Sequence, residues 1–203
     1  MKIALIGSTG RIGRHLAQEA RSRGHKVRSL LHAARSTLEE DATTRVADVF
    51  DGAALADAVR GQDAIVSAYG APADAPHLLP LATAAIVKAA TVAGVRRLVT
   101  VGGAGALEVQ PGVRLADTAG FPPSLLPKVR AHADALSVLA GSGLHWTCVA
   151  PAVQIGPGER TGRYRLAVGA VAGSSISYPD FACALLDELE GDRHPRQIVG
   201  TGY

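Results

Sequence analysis

Gly7, Gly10 and Gly13 fall three residues apart in KIALIGSTGRIGRHL, residues 2–16, directly behind the apolar run Ile3–Ile6. Glycine lets backbone approach a phosphate closely, and a helix starting at such a turn presents unpaired N–H groups and the positive end of its dipole. Ser8 and Thr9 add hydroxyl donors to the same turn. The chemistry this implies is recognition of a nucleotide pyrophosphate by the stretch Gly7, Ser8, Thr9, Gly10, Arg11, Ile12 and Gly13. The spacing is GxxGxxG rather than GxGxxG, and the missing Gly-Lys-Ser/Thr excludes a Walker-type loop.

A second group of residues bears on which nucleotide is bound. A free ribose 2′-hydroxyl is usually read by an acidic residue about 20 positions after the glycines. No Asp or Glu occurs between Glu19 and Glu39; His32 and Arg35 stand there instead, with Arg11 inside the turn. A guanidinium matches a phosphate bidentately. The pattern therefore implies a 2′-phosphate, and NADP(H) in preference to NAD(H).

Elements must hold these residues in place. KIALI reads as a buried strand, and RIGRHLAQEARSRG as a helix with Ile12, Leu16 and Ala20 on one face, closed at Gly24. Strands follow in HKVRSLL, TRVADV, DAIVSAYG, RRLVTVGG and HWTCVAP, and helices in GAALADAVRG, PHLLPLATAAIVKAATVAG, PKVRAHADALSVLAGSG and YPDFACALLDELEG. RQIVGTGY is expected to add an edge strand. Alternation of this kind predicts an α/β fold, a Rossmann-like doubly wound parallel sheet with helices on both faces. The apolar strands fit a sheet covered on both sides. Residues 1–203 read as one NAD(P)-binding domain, with segment 152–178 as an excursion on the substrate side.

GxxGxxG at this position resembles the atypical and extended short-chain dehydrogenases. VADVFD, AGVRRLVTVGGAG and SGLHWTCVAPAVQIGPGERTGRY extend the likeness to the NmrA-like NAD(P)H-binding group that includes the biliverdin-IXβ/flavin reductases. That resemblance implies that Asp48 and Val49 lie against adenine and that Ala68, Tyr69 and Gly70 pass under the adenosine. It also implies that Val101, Gly102 and Gly103, with Pro151, Ala152 and Val153, approach the nicotinamide. The related reductases often carry Arg where His32 stands.

The proton relay of a standard short-chain dehydrogenase, Tyr-x-x-x-Lys with a Ser, is absent. The residues four places after Tyr69, Tyr164 and Tyr178 are Ala73, Val168 and Ala182, and Gly102 and Gly103 occupy the place of the serine. Reduction of a flavin, quinone or similar planar conjugated acceptor needs less, since positioning and the cofactor carry much of the reaction. Gly102, Gly103 and Gly105 are expected to leave an open floor for a planar ring. His132 is the candidate catalytic residue: the resemblance puts a His at this point of the family, and an ordinary imidazole pKa near about 6.5 suits proton donation. The expected function is an NADPH-dependent reductase. A non-catalytic NADP(H) sensor and an epimerase- or dehydratase-like isomerase are the alternatives.

Composition narrows the partners. The net charge of +3 is scattered, with no basic stripe, so nucleic acid is not expected. Arg160 and Arg163 could hold an acidic substrate, and the substrate is expected to be small and planar or acidic. No apolar run is long enough for a membrane span. The seven His show no metal-ligand spacing, so no metal is expected. Two isolated Cys, Cys148 and Cys183, read as reduced core thiols of a cytoplasmic protein, a monomer or weak homodimer.

Overall fold

The computed structural model describes residues 1–32 and 43–203. Strand β1 (Lys2–Ile6) runs into the glycine turn and helix α1 (Arg11–Ser22), followed by β2 (Lys26–Leu31), β3 (Thr44–Val46) and α2 (Gly52–Val59). Next come β4 (Ala64–Ser67), α3 (Leu78–Ala93), β5 (Arg97–Val101) and a small hairpin of β6 (Glu108–Gln110) and β7 (Val113–Arg114). Helix α4 (Leu126–Ala140), β8 (His145–Ala150), β9 (Gln154–Gly156), β10 (Arg165–Val168), β11 (Ser175–Ser177), α5 (Tyr178–Gly191) and β12 (Gln197–Gly202) complete the order.

Among the described residues, the central sheet has the order β10-β12-β8-β5-β4-β1-β2-β3. Its pairings are parallel except that of β10 with β12. This is a Rossmann-like doubly wound fold. One expectation about its far end needs correction. RQIVGTGY does not form the edge; β12 is inserted between β8 and β10. Among the described residues the edge belongs to β10, an antiparallel strand from segment 152–178. Gly- and turn-rich sequence hides so short a strand, whose alternation covers only four residues.

Side-chain period explains how the sheet is covered. Ile3 and Leu5 of β1, Val66 of β4 and Val149 of β8 pack with Leu16, Phe181 and Leu185 of α1 and α5. Ala4 and Ile6, Ile65, Leu98 and Trp146 face the other way, toward Leu55, Ile86 and Leu139 of α2, α3 and α4. Neighbours along one strand thus serve opposite cores. Helix starts are marked chemically: the Asp51 carboxylate accepts from Ala53 N and Ala54 N at 3.1 and 3.0 Å, and Ser177 Oγ accepts from Asp180 N at 3.1 Å.

Candidate functional site

Strand order reverses between β1 and β4, and a doubly wound sheet opens a crevice beyond the carboxyl ends at such a point. The two loops there are in contact. A Cβ on Gly7 would lie 2.5 Å from the carbonyl oxygen of Ala68, and Gly7 has φ +78. Only glycine meets both demands cheaply. A Cβ on Gly13, in the first turn of α1, would lie 2.0 Å from the carbonyl oxygen of Gly7. These two glycines therefore close the turn onto its helix and onto the β4 loop.

Gly10 differs. It caps α1 with φ −71 and ψ 169, backbone open to any residue, so its conformation does not demand glycine. Its Cβ position is 3.2 Å from Gly7 O and otherwise clear. No side chain caps α1, and no acidic residue stands in its first turn, so its leading N–H groups face outward unpaired. Ser8 is 7% exposed and its Oγ has no partner. Thr9, Gly10 and Arg11 are exposed, and Ile12 is half-buried. An orphaned hydroxyl beside an uncapped helix start is a donor set that suits a pyrophosphate.

The other expected residues cluster at the same end of the sheet. His32 directly follows β2, and its Nε2 lies 3.3 Å from Asp48 Oδ2. Arg35 lies outside the described residues. Asp48 Oδ1 also accepts from Phe50 N at 2.9 Å, and Val49 is buried. Ala68, Tyr69 and Gly70 follow β4; Val101, Gly102 and Gly103 close β5; Pro151, Ala152 and Val153 leave β8, with Val153 60% exposed. Phe50, which sequence reasoning passed over, meets Tyr69 edge to face with ring centroids 6.4 Å apart. An exposed aromatic directly after ADV was the available signal.

At the β5 end the structure corrects two expectations. The glycines do not leave an open floor on their Cβ side. A Cβ on Gly102 would meet Cys148 Sγ at 2.7 Å, one on Gly103 the His132 ring at 2.8 Å, and one on Gly105 Val129 Cγ2 at 2.5 Å. The missing side chains let α4 and β8 close in. His132 thus stands against the Gly103 backbone, and its acidity is not ordinary. Burial, and then the charge of Lys128 one turn earlier, push its pKa down to about 4. Its imidazole is neutral at neutral pH.

Beyond β8, segment 152–178 forms β9 and β11, paired in parallel, and a cavity of about 480 Å³ lined by residues 154–159, 161, 175–177 and 203. Arg160 is not free to hold an acidic substrate. Its Nε and Nη2 each donate at 2.7 Å to the carboxylate of Glu19 on α1. Arg163 is exposed. A second groove of similar volume, lined by Lys2, Lys26, Arg28 and Arg60 among others, lies at the amino ends of β1 and β2, the opposite end of the sheet. Among the described residues no group of three or more His, Cys, Asp or Glu could hold a metal ion, and no helix is long and apolar enough to cross a membrane.

Comparison with known proteins places this crevice in context. A family model described as NAD(P)H-binding matches residues 7–192. A provisionally named exported protein from Burkholderia pseudomallei is 43% identical, with a TM-score of 0.89 and full coverage of both chains. A provisionally named NADH-flavin reductase from Streptococcus pneumoniae is 34% identical, with a TM-score of 0.86, over 100% of this chain and 99% of that one. A provisionally named epimerase from Bacteroides thetaiotaomicron is also 34% identical, with a TM-score of 0.86, over 100% and 96%.

Proposed function

The chain belongs to the NAD(P)H-binding family, and on that premise we propose that it is an NADPH-dependent reductase of a flavin, quinone or similar planar conjugated acceptor. The N–H groups of the glycine turn and Ser8 Oγ hold the pyrophosphate; Asp48, Val49 and the Phe50–Tyr69 pair border the adenosine. His32 and Arg35 serve the 2′-phosphate, the basis of the preference over NAD(H). Val101, Gly102 and Gly103, with Pro151, Ala152 and Val153, flank the nicotinamide. When bound, that ring supplies the hydride.

The observation that carries the reading is the poverty of proton donors at the β5 end. Tyr164 Oη donates to Asp187, Tyr203 Oη donates to Asp180 at 2.7 Å, and Tyr178 stacks on His15 with centroids 5.8 Å apart. Tyr69 meets Phe50 and packs beside Ala131 and Ala135 of α4, but burial and the nearby Asp48 raise its pKa, which makes it a weaker acid, and no Lys stands four places on. His132, held neutral, offers an N–H as a hydrogen-bond donor that orients an acceptor rather than an imidazolium that protonates it. A conjugated acceptor protonated by solvent fits such a site; an alcohol dehydrogenation or a sugar epimerisation lacks its relay. The Streptococcus relative's name, an NADH-flavin reductase, supports a flavin as the acceptor. Two free, buried cysteines fit a reducing, cytoplasmic setting.

The test is a titration of the purified protein with NADPH, followed by absorbance assays of NADPH oxidation with flavins, quinones and simple carbonyls. Turnover confined to the conjugated acceptors is the expected result. Tight NADPH binding with no turnover of any acceptor would transfer the assignment to a cofactor sensor.

A further inference from the structure

Four residues of the loop that walls the cavity beyond β8 are tied to the two helices beneath it. Arg160 forms a two-pronged pair with Glu19 of α1, and Glu19 is 5% exposed. Thr161 N and Gly162 N both donate to Asp180 Oδ1 at 2.8 Å, while the Thr161 hydroxyl donates to Asp180 Oδ2 at 2.5 Å. Tyr164 Oη donates to Asp187 of α5. The same loop contributes Glu159 and Thr161 to the cavity wall, and Ser177 Oγ donates to the Glu159 carbonyl at 2.8 Å.

Glu19 is the junction of this arrangement. It accepts from Arg23 Nε at 2.8 Å as well as from Arg160, and Arg23 continues to Asp187 and Glu190 at 2.7 and 2.9 Å. A buried carboxylate with three guanidinium N–H donors is strongly localised. Its helix is the one that begins at the glycine turn. Arg160 is therefore a direct charged bond between the helix that begins at the glycine turn and the loop that walls the cavity.

We propose that the Glu19–Arg160 pair is a latch that positions the cavity wall for the acceptor, which makes both positioning residues rather than catalytic ones; the proposal rests on the reductase reading above for the identity of the acceptor. The latch acts on the acceptor side alone. Glu19 lies more than two turns along α1 from its start at Arg11, so cofactor affinity is retained when the pair is broken.

The test uses Arg160→Gln, a change at a side chain 55% exposed that folding tolerates, with Glu19→Gln as its partner. Amide exchange of Thr161 and Gly162 should accelerate by about tenfold in either variant, the loss of one partly screened, charge-assisted contact. The acceptor KM should rise by about tenfold, with kcat and the NADPH dissociation constant nearly unchanged. Arg160→Lys should restore part of the protection, since Lys keeps the charge and loses the fork. Unchanged exchange in Arg160→Gln would overturn the latch, because Asp180 alone would then hold the loop. Faster exchange with an unchanged acceptor KM would overturn the link to acceptor binding. Failure of every acceptor to react, with exchange accelerated as expected, would sink the reductase reading while leaving the latch.

Discussion

Replacing Gly13 by Ala tests the turn at its tightest point. The added methyl would sit 2.0 Å from Gly7 O, 2.8 Å from Gly7 C and 2.9 Å from Ser8 Cα, all of them backbone. Comfortable heavy-atom contacts begin near about 3.5 Å, so the turn must move by more than about 1 Å. Overpacking against backbone costs about 3 kcal/mol, the upper end for an inserted methyl, and the helix preference of Ala over Gly returns about 1 kcal/mol. The net loss of about 2 kcal/mol lowers Tm by about 4–8 °C for a chain of this size. Displacing the turn also costs at least one contact to the pyrophosphate, so NADPH should bind about 10- to 100-fold more weakly. Gly10→Ala is the control: at φ −71 and 3.2 Å from Gly7 O it needs only a small adjustment. It should melt close to the parent while its methyl intrudes on the phosphate. Thermal unfolding and calorimetric titration of the two variants decide the matter. A Gly13→Ala protein that melts with the parent and binds NADPH equally well would refute the reasoning.

Three further outcomes are expected. The pKa of His132 lies near 4 in the fold and near 6.5 when unfolded, so the unfolded state binds the extra proton between those values and stability falls as pH drops through that window. The loss is on the order of 2–3 kcal/mol, absent in His132→Gln by acid titration of denaturant midpoints; Glu19, held at about 2, adds its own loss only below about pH 4.5. Gly103→Ala should cost about 1–2 kcal/mol by pressing on the His132 ring, and His132→Ala in the same chain should relieve it, a coupling that a double-mutant cycle reads directly. NADP(H) should bind more tightly than NAD(H), and Arg35→Asp should narrow the gap by about 1–3 kcal/mol; equal affinities in the parent would end the argument from the acid-free second strand.

Much of this arrangement is legible in the sequence, for identifiable reasons. KIALI, RRLVTVGG and HWTCVAP are apolar on both faces because helices cover both, and the uncapped turn shows itself through Gly7 and Gly13, whose places leave no room for a side chain. The short strands of segment 152–178 escape notice because each spans only three or four residues and pairs far along the chain. Glu19 was readable in part. A carboxylate on the apolar face of RIGRHLAQEARSRG, beside Leu16 and Ala20, signals a buried charge in need of a partner, but Arg160 lies 141 residues away. Ser177-Tyr-Pro-Asp180 has the form of a capping box, yet nothing local reveals that Asp180 also receives Thr161, Gly162 and Tyr203. The depressed pKa of His132 comes from how closely α4 descends on Gly103, a distance that composition does not encode.

The insertion of β12 between β8 and β10 has a consequence for how the chain is made. During synthesis β10 leaves the ribosome with no place in the sheet, because the strand that seats it is translated only after α5. Until then β8 presents a bare edge of unpaired backbone, and β10 is a tethered, unpartnered strand. A nascent chain stalled before Gln197, or a protein clipped there, would keep that edge open and would be prone to pair with a neighbour. Folding of the sheet's far side is thereby made to wait for β12, and arrested-translation or truncation experiments ending just before Gln197 should yield aggregates where the chain through Tyr203 folds.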